Sequence, residues 1–167
     1  MVVEGAIAAV SPTPAASVDW GVRLRDAGFA EKADGSFVWD RDPLNLLLVP
    51  GSSRAAPTQF AVTVGKQASS SREQLDQGTP ELVRLAIEAL RGPRASVAFE
   101  YLGQLGSVEH AALRDATIRW AETASWSSIS AEPRPQPLKG FDGWYILGAR
   151  TFQGGTYVMI GVLWRQP

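Results

Sequence analysis

The stretch 143–167, GWYILGARTFQGGTYVMIGVLWRQP, limits what this chain can fold into more than any other. Two apolar runs flank a Gln-Gly-Gly turn, the signature of a β-hairpin. Side chains alternate between the faces of a strand. Trp144, Ile146, Gly148, Arg150 and Phe152 therefore point one way, and Tyr145, Leu147, Ala149 and Thr151 the other. On the return strand Tyr157, Met159, Gly161 and Leu163 alternate with Val158, Ile160, Val162 and Trp164. Both faces are apolar, whereas an antiparallel sheet usually keeps one face wet. This hairpin must be covered twice. Helices are expected over the first face. The second requires either an N-terminal helix carrying Trp20 and Leu24 or another chain. Gly148 and Gly161 leave room for a bulky group to approach closely. Arg150, mid-strand beside Trp144, is expected to pair with Glu100 or to meet an anion or a partner.

The rest of the chain supplies the cover. Val18–Ala27, capped by Ser17 and stopped by Gly28, reads as a short helix with Trp20, Leu24 and Ala27 on one face. Segments 36–40, 45–49 and 58–64 read as strands of an antiparallel meander. A polar loop is expected over 65–78, with at most a helical turn near Glu73. A helix follows from Thr79 and Pro80 to Gly92, apolar around most of its circumference except for Glu81, Arg84, Glu88 and Arg91. Alternation in SVAFEYL suggests a strand over 96–102, with Gly103–Gly106 a turn. Ser107 is expected to cap a helix over 108–124 whose core stripe is Leu113, Ala116, Trp120 and Ala124. Residues 126–129 suggest a short strand, and EPRPQP at 132–137 a stiff extended loop. Runs of strands interrupted by single helices imply an α+β fold, with an antiparallel sheet of about five to seven strands under about three helices. Residues 1–16 are expected to form a flexible tail and 17–167 a single domain.

Composition excludes more than it assigns. The chain has no cysteine, so disulfides, thiolate metal sites and Cys nucleophiles are ruled out. Its single histidine, His110, rules out multi-His metal sites. Net charge is −1 and the basic residues are dispersed, which gives no pull toward nucleic acid. The apolar start, MVVEGAIAAVSPTPAAS, lacks the positive region of a secretory signal, and no run is long enough to span a bilayer. The expectation is a cytoplasmic protein or a component of a virion or phage particle. The bias of 13 Arg to 3 Lys is that of a GC-rich bacterial or phage gene.

No catalytic motif stands out. His110 in a helix's first turn is a candidate general base, and Glu109 a candidate acid if buried in the apolar stripe. Each has a structural alternative, His110 at a helix boundary and Glu109 accepting backbone N–H bonds. Asp40-Arg41-Asp42 offers two carboxylates to a cation, or simply a turn before Pro43. Val64-Gly65-Lys66 lacks the remainder of a phosphate loop. No cofactor and no metal is expected. The best-supported reading is a non-catalytic interaction or assembly domain that binds a protein partner, itself included. Trp144, Arg150, Tyr157, Trp164 and Trp20 are its candidate contact residues. A particle subunit, an accessory chaperone and an immunity-type protein are examples. A small hydrolase using His110, or a lipid or small-molecule carrier with a cavity between hairpin and helices, are the alternatives.

Overall fold

The apolar runs of the first third pair in chain order. In the computed structural model, which describes residues 18–51, 56–66 and 71–165, β1 (Ala30–Glu31), β2 (Phe37–Arg41), β3 (Leu44–Val49) and β4 (Thr58–Lys66) form an antiparallel meander. Asp42-Pro43 makes the β2–β3 turn. At the other end of the chain, β5 (Gln136–Pro137), β6 (Trp144–Thr151) and β7 (Thr156–Trp164) also run antiparallel. The hairpin turn uses Gly154 at φ +70° and Gly155 at φ +140°, a region that L side chains rarely adopt. The two halves join where β4 pairs with β7, from Thr58 opposite Trp164 to Lys66 opposite Thr156. The result is one seven-stranded antiparallel sheet in the order β1-β2-β3-β4-β7-β6-β5.

The helices lie between β4 and β5 in sequence, except α1 (Trp20–Asp26), which precedes the sheet. α2 (Arg72–Arg91), α3 (Pro93–Gly106) and α4 (His110–Thr123) are joined by very short links, so they stay in one layer. That layer covers one face of the sheet. Every strand residue in the hydrophobic core belongs to one alternation set, including Leu46, Leu48, Phe60, Val62, Ile146, Val158 and Ile160. Phe60 on β4 meets Phe99 on α3 edge to face at 5.6 Å, with both rings fully buried. No helix of the described residues is long and apolar enough to cross a membrane.

The α+β class and the antiparallel sheet are as the sequence indicates, but four helices stand among the described residues where three were expected. The additional one is α3, over the segment read as a strand. Its alternating Val97, Phe99 and Tyr101 overlay a helical spacing, since Ala95, Ala98, Phe99 and Leu102 are all buried. Val97 and Tyr101 are i, i+4 neighbours on the side that receives α1, where Trp20 packs edge to face on Tyr101 at 5.6 Å. Pro93 at the first position restarts the helix after Gly92.

α2 also starts two turns earlier than expected. Ser71 and Gln74 form a reciprocal capping box, and Pro80 sits inside the helix. The Thr79 hydroxyl donates to the Leu75 carbonyl at 2.6 Å in the turn that Pro80 interrupts. The wide apolar arc of this helix is used within the chain, against β7, β4, α3 and α4. Arg84 bonds both Glu81 and Glu88 on the exposed side, as their spacing implies.

Asp19 rather than Ser17 caps α1, accepting from Val22 N–H at 3.1 Å; Ser17 and the tail 1–16 lie outside the described residues. α1 packs beside α3 with Leu24 in the core, so it belongs to the helical layer and does not cover the second face of the hairpin. Ser107 closes α3 in the left-handed region at φ 54° instead of capping α4, and Gly103 and Gly106 are helical rather than a turn. Residues 126–128 form a 3-10 turn, not a strand.

Gly148 shows why the hairpin lies flat under the helices. The Trp120 indole of α4 lies against it, and a Cβ there would run into the ring. Gly148→Ala is expected to cost about 1–3 kcal/mol, the usual range for overpacking, in urea unfolding followed by circular dichroism. Trp120→Leu in the same background should recover part of the loss. Unchanged stability in Gly148→Ala would show that Trp120 is not seated there.

Candidate functional site

The residues singled out for contact separate onto different sides. Trp144 is 1% exposed on the helical side of the sheet, with Trp164 beside it at 6.1 Å between ring centroids. Trp20 is held between α1 and α3. Arg150 is 4% exposed. Tyr157 alone lies on the other face, its ring folded over Gly65 of β4 and its hydroxyl donating to the Gly154 carbonyl at 3.3 Å. The structure does not bring these five together.

Arg150 is a strut. Its Nη1 donates to Asp76 Oδ1 at 2.7 Å and lies 3.4 Å from the Thr79 hydroxyl. Its Nη2 donates to the Ser127 carbonyl at 3.1 Å. One guanidinium thus ties β6 to α2 and to the 3-10 turn. Glu100, its expected partner, instead pairs with Arg23 at 2.7 Å, because the segment holding Glu100 is helix and faces α1. The sequence left Asp76 in a loop, and only the Ser71–Gln74 capping pattern announces the helix that carries it.

His110 and Glu109 sit at the exposed start of α4. Glu109 is the N-cap, not part of an apolar stripe. It stands one residue before the helix on extended backbone, and its carboxylate accepts from Ala111 and Ala112 N–H at 3.1 and 3.0 Å. Those two bonds hold its pKa below the ordinary glutamate value, the opposite of what a general acid needs. His110 Nδ1 lies 3.7 Å from Glu109, and its Cβ abuts Gly103, where α3 and α4 pack closely. Asp40 near the end of β2 and Asp42 in the β2–β3 turn border a shallow cleft of about 140 Å³ with Asn45, Thr63 and Tyr157. Among the described residues, no group of three or more His, Cys, Asp or Glu is placed to hold a metal ion. Between hairpin and helices, Phe60, Phe99, Leu102 and Trp144 are fully buried and Trp120 lies against Gly148.

The sheet face opposite the helices is the more informative surface. Val38, Leu47, Ala61, Tyr145, Leu147, Tyr157, Met159 and Leu163 share it, with Asn45, Gln59 and Thr63. Ala61, Leu147, Ala149 and Leu163 are buried yet stand outside the main core, and no described helix packs on them. The four central strands present no charged side chain on this face; Asp40 of β2, opposite Asn45, and Arg165, over the Tyr145 ring, stand at its margins. Its middle row runs Leu47, Ala61, Gly161, Leu147, so small residues form a shallow trough between two leucines.

Two outcomes test these assignments. Asp76→Ala strips a buried guanidinium of its carboxylate and is expected to cost roughly 1–3 kcal/mol, moderated because Asp76 itself is half-exposed. Equal stability of mutant and parent in urea would remove the strut. Glu109 has a lowered folded pKa, so its stabilising effect is present above the ordinary value of 4.5 and is lost as pH falls through the folded pKa. Glu109→Ala should therefore lower Tm at pH 7 and give a shallower fall in Tm on acidification. An identical acid limb would show that the cap contributes nothing. Compared with protein-family models, curated proteins and solved structures, the chain matches none.

Proposed function

We propose that this chain is a non-catalytic assembly domain that pairs with a second copy of itself through the helix-free face of its sheet. The observation that carries this reading is an apolar face, uncharged at its centre, on a sheet whose described helices all lie on the other side. A face without like charges meets its own copy without electrostatic penalty. Two such faces stack at about 10 Å, as in a β-sandwich. Four strands about 4.8 Å apart, about eight residues long, span roughly 500 Å² in projection. Two copies would then bury on the order of 1,000 Å², near the lower limit for a specific interface. That magnitude favours a reversible dimer over an obligate one. A subunit of a particle, an accessory chaperone or an immunity-type protein, cytoplasmic or particle-borne, would use such a surface.

Light scattering on a sizing column across a concentration series tests it. The expected mass rises from 18.0 kDa toward twice that value with concentration. Leu47→Arg and Met159→Arg should hold the protein at the monomer mass with unchanged circular dichroism. A monomer at every concentration would sink self-pairing and direct the search to a different protein. An oligomer indifferent to both substitutions would move the interface off this face.

A further inference from the structure

The cleft at the start of α2 carries chemistry that the assembly reading does not use. It has a volume of about 340 Å³ and lies where the first turn of α2, residues 127–131 and the end of β6 meet. Arg72, Ser127, Arg150 and Gln153 line it. We infer that this cleft binds a small oxyanion, a phosphate or a carboxylate, held between Arg72 and Arg150.

The buried arginine is the first reason. A guanidinium has five N–H donors and cannot lose its charge. Arg150, with its side chain 3% exposed, has acceptors for three of them in Asp76, Thr79 and the Ser127 carbonyl. Its Nε is buried with no hydrogen-bond partner among the described residues. Buried donors without partners are costly, and a bound ion is one of the ways in which native proteins satisfy them. The second reason is charge. Arg72 lines the cleft one turn of α2 before Asp76, the carboxylate that Arg150 uses. Glu73, the acid of the first turn, is bonded along the helix to Gln77 at 3.4 Å. The lining of the cleft holds two arginines and no carboxylate, Glu73 and Asp76 standing outside it. The third reason is the positive end of a 20-residue helix, which adds to the same field. The Ser127 hydroxyl and the Gln153 amide give neutral donors at the rim. The volume lies at the small end for ligand sites, which suits a compact anion.

Thermal unfolding of the full chain in sodium phosphate, sodium acetate and sodium chloride at equal ionic strength and pH tests this, with calorimetric titration of phosphate and of acetate. The expected result is a saturable rise in Tm over chloride with at least one of the two oxyanions. The one that binds identifies phosphate or carboxylate as the ligand group. Phosphate also strengthens apolar burial in any protein, but that effect does not saturate and does not depend on Arg72. Arg72→Ala, an exposed change, should leave Tm in chloride unchanged and weaken the oxyanion at least tenfold. Arg150→Lys keeps the charge and removes the fork, and should weaken binding if it folds; Arg72→Ala decides the question if it does not. Equal Tm in all three salts, or undiminished affinity in Arg72→Ala, would overturn the assignment.

Discussion

The pairing of β4 with β7 is the constraint from which the rest of this structure follows. It joins a meander made by the first part of the chain to a hairpin made by the last, over the whole length of β4. Everything between them in sequence, α2, α3, α4, β5 and β6, must leave β4 and return so that β7 reaches its free edge. Short links keep the three helices in one layer, and that layer fits on one face only. The helical face then becomes a dense core, with Phe60 against Phe99 at its centre and Trp120 laid on Gly148. The same topology leaves the other face without a described helix, although its side chains are nearly as apolar.

Much of the sheet was legible in the residues because strands with period-two patterns and glycine-rich turns specify themselves locally. β2, β3, β4 and the hairpin lie within a residue or two of where the alternation puts them. The helices were less legible, for two physical reasons. In SVAFEYL the period-two and period-3.6 patterns coincide, and tertiary packing against α1 and the sheet selected the helix. At α2, Thr79-Pro80 imitates a helix start, while the true start is the Ser71–Gln74 box two turns upstream. That second error concealed Asp76, and with it the partner of Arg150. Which face of the hairpin each aromatic occupies was readable; which face the helices choose was not, because it depends on the path between β4 and β7.

The two sides of the sheet consequently have different work. Trp144 and Arg150, attractive as contact residues in the sequence, are internal: one fills the core and the other fastens β6 to α2. Glu109, attractive as an acid, is an ionised helix cap. The proposed self-pairing rests on the face with Leu47, Tyr145, Leu147, Tyr157, Met159 and Leu163, and the proposed oxyanion site on the cleft at the start of α2.

The central claim is that this face becomes covered when two copies meet. Hydroxyl-radical footprinting at low and high protein concentration reads that directly, since Tyr145, Tyr157 and Met159 are reactive and half-buried, while Phe152 at 37% exposure lies away from the face. The expected result is concentration-dependent protection of Tyr145, Tyr157 and Met159 with unchanged labelling of Phe152. Labelling of all four that is independent of concentration, over a range in which the mass rises, would contradict it.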